Sequence, residues 1–73
     1  MNKEAKINIV KNKLEGLHAQ VYDAEINLKV ATKLEDSAWI EDIKKTLVKL
    51  YKAKDVYEEE IVIVTNTTEV EHE

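Results

Sequence analysis

The sequence predicts an all-α fold: an antiparallel two-helix hairpin, coiled-coil-like, that associates into a helical bundle. Three observations in the 73-residue chain carry that reading. Apolar residues form two seams that mirror each other. Pro is absent and Gly16 is the one glycine, so little interrupts a long helix. The first seam's helix also carries a second apolar stripe, which a hairpin alone leaves uncovered.

The first seam is Ile7, Val10, Leu14, Leu17, Val21, Ala24, Leu28 and Ala31. The second is Ile40, Ile43, Leu47, Leu50, Lys54, Tyr57, Ile61 and Val64. Both step 3-4-3-4-3-4-3, the spacing that keeps one helix face turned to a partner helix. Paired from the middle outward, Ala31 with Ile40 through to Ile7 with Val64, every pair of numbers sums to 71. A chain folded back on itself between Glu35 and Asp36 sets each seam against the other.

The first helix is expected over about residues 3–34. Its phase holds without a skip across Gly16, which lies off the seam and costs about 1 kcal/mol relative to Ala. A break at Gly16, with a shorter hairpin over 17–60, is the rival reading. The turn is placed at 35–36. Asp36 or Ser37 supplies an N-cap, Glu41 and Asp42 put negative charge near the start of the second helix, and Leu34 is positioned to staple onto Ile40 or a neighbour. So short a connection requires adjacent antiparallel helices.

The second helix is expected from 37 to about 60 or beyond. Its end is ambiguous. Glu58, Glu59 and Glu60 are unfavourable at a helix C-terminus, and the β-branched run Ile61-Val62-Ile63-Val64 favours a strand, with Ile7-Asn8-Ile9-Val10 as its mirror partner. Yet Ile61 and Val64 stay in phase with the seam, as a continuing helix requires. Residues 1–65 are read as the hairpin domain and 66–73 as a disordered acidic tail.

The stripe on the far side of the first helix consists of Ala19, Tyr22, Ile26, Val30 and Leu34. A helix apolar on two sides is built to be covered on two sides, and Trp39, Ala53 and Val56 add apolar surface off the second seam. Tyr22, Ile26, Val30, Leu34 and Trp39 are therefore the expected interface residues. Self-association also answers the size problem, because a chain this short seldom stabilises itself on one core. Docking of another protein is the alternative use of the stripe.

Composition narrows the function. There is no Cys, so neither disulfides nor thiol chemistry are available. The net charge is −4 and all eleven basic residues are Lys. Without Arg, the usual reader of phosphate and guanine, nucleic-acid binding is not expected. No stretch approaches the ~20 apolar residues that span a bilayer, and the N-terminal MNKEAKINIV does not read as a secretion signal. A cytoplasmic protein with no membrane partner is expected. The abundance of Lys, Asn and Ile fits an AT-rich coding sequence of bacterial or phage kind.

No catalytic constellation emerges. Ser37 is the only Ser and serves as a candidate cap, and one Gly cannot build a phosphate loop. Glu15-x-x-His18 has the spacing used in di-iron bundles, with Asp55, Glu58 and Glu59 across the hairpin. Glu15 and His18 point to opposite edges outside the seam, so no metal or cofactor is expected. Lys54 is the one break in the seam, read as a snorkelling side chain or a register-setting one. Lys45, Lys49 and Lys52 line the outer face of the second helix, with Lys44 beside them. The expected function is a small non-enzymatic homo-oligomer acting by protein–protein contact, as an adaptor, assembly chaperone or inhibitor. The alternative is an oligomer that holds a small anion such as a nucleotide, through Lys45, Lys49 or Lys52 with a Tyr. A metal-binding bundle is the third reading.

Overall fold

A computed structural model describes residues 1–67 as two helices, α1 (Lys3–Lys33) and α2 (Ser37–Asn66), packed as an antiparallel hairpin. The ribbon measures 58 × 15 × 14 Å. Asn2 caps α1, its side-chain oxygen accepting from the Ala5 N–H at 2.8 Å, which satisfies one of the donors a helix start leaves open. Gly16 does not break α1. A Cβ placed there meets nothing within 4 Å, so the hairpin has no packing need for glycine at this position.

All sixteen seam positions are buried or half-buried. Outside the seams only Lys3, Ala5, Asn27, Trp39 and Ala53 escape full exposure among the described residues. The innermost mirror pairs make the core. Ala24, Ala31, Ile43 and Leu47 form its buried cluster, with Val21, Leu28, Ile40, Leu50 and Trp39 packed against it. Four pairs summing to 71 are complete within that group. On α1 the buried positions are Val10, Leu17, Ala24 and Ala31, every second seam residue. The alternate ones stay half-exposed, as expected where one helix has a single partner.

The turn is tighter than a generic loop. The Asp36 N–H donates to the Ala31 carbonyl at 3.0 Å and the Glu35 N–H to the Thr32 carbonyl at 3.1 Å. These two bonds make a Schellman ending, which requires a left-handed residue at its centre. That residue is Glu35, at φ 55°. Glycine takes this conformation freely, and an L side chain is strained in it. Glu35→Gly is therefore expected to stabilise the hairpin by about 0.5–1 kcal/mol, after the greater freedom of glycine in the unfolded chain is counted. An upward shift of the urea midpoint checks this, and a downward shift contradicts it.

Asp36 immediately caps α2, its carboxylate accepting from the Trp39 N–H at 3.1 Å. Three local expectations need correction. Glu41 and Asp42 lie beyond the first turn of α2, which contains no acidic residue. Leu34 does not staple the turn into the core, since it remains largely exposed. The strand alternative for 61–64 fails, because α2 continues through it to Asn66, with Thr67 as C-cap. Val64 is buried and Ile61 half-buried at their seam positions. Burial along the seam outweighs the local β preference, and Glu58–Glu60 then sit inside the helix and clear of its terminus. Helix α1 ends one residue short of the expected 34, where Leu34 becomes the C-cap. The expected tail begins inside the helix at Asn66, and its residues 68–73 lie outside the described residues.

Candidate interaction surface

The hairpin leaves an apolar ridge in solvent. Tyr22 is 67% exposed, Ile26 41%, Val30 44% and Leu34 66%. Their spacing is four residues at every step, so they form one continuous ridge along the helix. Ile26 lies two residues from both Ala24 and Leu28. At ~100° per residue it points about 160° from each, away from α2. The same half of α1 gives the seam two alanines, Ala24 and Ala31. Where the inner face of α1 buries least side-chain bulk, the outer face is most apolar.

Trp39 is half-buried and packs on the hairpin core. The surface of α2 has apolar residues that the interface expectation did not include. Val48, Tyr51, Val56, Val62 and Ile63 are all exposed. Their signal was present as β-branched and aromatic residues off the seam. They follow no single helical ridge, so periodicity did not gather them.

Lys45, Lys49 and Lys52 are exposed on α2, as is Lys44. Lys49 borders an open groove together with Lys13, Gly16, Gln20, Ala53 and Tyr57. Lys45 and Lys52 do not line that groove. A second open groove, nearer the turn, runs between Gln20, Asp23 and Asn27 on α1 and Trp39, Asp42 and Thr46 on α2.

Lys54 occupies its seam position with its side chain 40% exposed, and its ammonium lies 4.0 Å from the Glu58 carboxylate one turn on. The stem covers apolar surface while the charge reaches water and a carboxylate. An exposed pair of this kind contributes little, a few tenths of a kcal/mol. Lys54→Leu should therefore stabilise the hairpin by about 1 kcal/mol, the gain of half-burying a leucine there. Thermal unfolding checks this. A loss of stability, or a change of molar mass, would instead make Lys54 a register-setting residue.

Glu15 and His18 are both exposed. Among the described residues, no group of three or more His, Cys, Asp or Glu side chains is placed to hold a metal ion. No described helix is long and apolar enough to cross a membrane. The chain matches no protein-family model, and no curated protein or solved structure is significantly similar to it.

Proposed function

We propose that the protein is a non-catalytic homo-oligomer that works by protein–protein contact, in the manner of an adaptor, assembly chaperone or inhibitor. The observation that carries this reading is the exposed Tyr22-Ile26-Val30-Leu34 ridge. A ridge of four such side chains has a use only when covered, and in water it invites association. The thin hairpin core supports the same reading. No large side chain in it is completely buried, and a second copy would add apolar burial where the first supplies least. Light scattering tests it directly. The expected molar mass is at least twice the 8.4 kDa of one chain, and a mass of one chain at high protein concentration would refute it.

The groove that joins Lys13 and Lys49 to Tyr57 favours a second reading, in which the oligomer holds a small anion such as a nucleotide. A ligand that binds only the folded state must raise its melting temperature. Under the first reading a nucleotide panel leaves the melting temperature unchanged. A rise that fades with salt would favour the second.

A further inference from the structure

We infer that the occupant of the α1 ridge is a second copy of this chain, running antiparallel with Ile26 at the two-fold axis, so that α1 is sandwiched and α2 is outermost. This rests on the self-association proposed above and specifies its geometry.

Three features lead to it. The first is direction. At its centre, Ile26, the ridge points about 160° from the neighbouring seam residues, whereas a helix in a square four-helix bundle has its two neighbours roughly at right angles. Contacts on opposite sides of α1 stack the helices in the order α2, α1, α1 of the partner subunit, α2 of the partner subunit. The two hairpin cores then stay separate and do not merge into one.

The second feature is extent. A ridge with strict four-residue spacing, packed against its own copy, crosses it at about −50°. Helices crossed so steeply part within about two turns of the crossing point. The apolar stripe reaches from Ala19 to Leu34 and is centred on Ile26. Before it, the corresponding face carries Asn8, Asn12 and Glu15, all exposed, and Ile9 is the one exposed large apolar residue in that part of α1. A helix aligned along its whole length with a partner would need the stripe to continue there.

The third feature is charge. Three residues before Ile26 stands Asp23 and three residues after it stands Lys29, both exposed. A parallel pair would set like charges together. An antiparallel pair sets Asp23 of each copy toward Lys29 of the other, which favours that orientation. The stripe is thus self-complementary, as a two-fold interface must be.

The absence of native Cys makes single-cysteine reporters clean. The mirror pairing places Lys45 level with Ile26, and Lys45 is exposed, so a spin label on Lys45→Cys reads the separation of the two α2 helices at the axis. Stacked order puts those helices about three interaxial spacings apart, ~27 Å between axes at 9 Å each. A label separation of roughly 30 Å or more is expected. A separation near 20 Å, as in a shared four-helix core, overturns the stacked order. Orientation is read by cross-linking with a short bismaleimide. An equal mixture of Ala19→Cys and Lys33→Cys chains is expected to give the mixed product in excess over either homodimer. Homodimers from each variant alone, with no excess in the mixture, would show a parallel pair and overturn the orientation. A molar mass of one chain in light scattering would overturn the self-association itself, an outcome separate from both.

Discussion

Ile26→Asp is expected to dissociate the protein without unfolding the hairpin. Ile26 faces away from α2 and is 41% exposed, outside the buried core cluster. Within one chain the substitution costs only the difference in helix propensity, a few tenths of a kcal/mol. At a two-fold interface every change occurs twice. Two isoleucines lose burial at about 1–3 kcal/mol each, and two carboxylates are brought together near the axis. A combined loss of at least ~3 kcal/mol weakens association by roughly 100-fold or more. Sedimentation equilibrium should show a shift to a single chain, with the helical circular dichroism retained. An unchanged mass would remove the ridge from the interface.

Leu47→Ala is expected to have the opposite signature, loss of the fold itself. Leu47 is buried in the core cluster and mirrors Ala24, so the opposing helix offers no bulk to fill the space left behind. Truncating a buried leucine costs about 2–4 kcal/mol once the cavity is included. A single core in a chain of this length supplies only about 3–5 kcal/mol, so most of the stability is lost. Thermal unfolding followed at 222 nm should show a broad, early transition. The neighbouring Val48→Ala is the control. Val48 is exposed, and its change is expected to stay within about 0.5 kcal/mol. Equal effects at the two positions would mean that the seam does not carry the fold.

The hairpin was legible because helix periodicity and chain reversal leave a joint signature. A seam and its mirror image need no knowledge of side-chain detail, and burial follows them position by position. Gly16 was legible for the same reason, since an unbroken phase outweighed a single poor helix former. The left-handed Glu35 was not legible. Glutamate has no preference for that conformation, and only the closing of the Schellman bonds imposes it. Residues 61–64 were ambiguous because local β preference and seam phase give opposite answers, and only packing against α1 decides between them.

The exposed apolar surface was legible in part. Tyr22, Ile26, Val30 and Leu34 share a regular spacing and emerge together in solvent. Trp39 was grouped with them as apolar surface off the second seam, and it packs half-buried against the core. The lysines of α2 are where the helical wheel puts them. Exposed charges without a fixed partner leave no trace in sequence of what they bind.

The most direct test of the central claim, that the outer face of α1 is what the hairpin keeps for a second copy, is a dilution series of the unmodified protein followed by side-chain NMR. The shifts that move with concentration should belong to Tyr22, Ile26, Val30 and Leu34, while those of Val56, Val62 and Ile63 on α2 stay fixed. Movement confined to the α2 residues, or no movement in a protein whose mass is that of one chain, would contradict it.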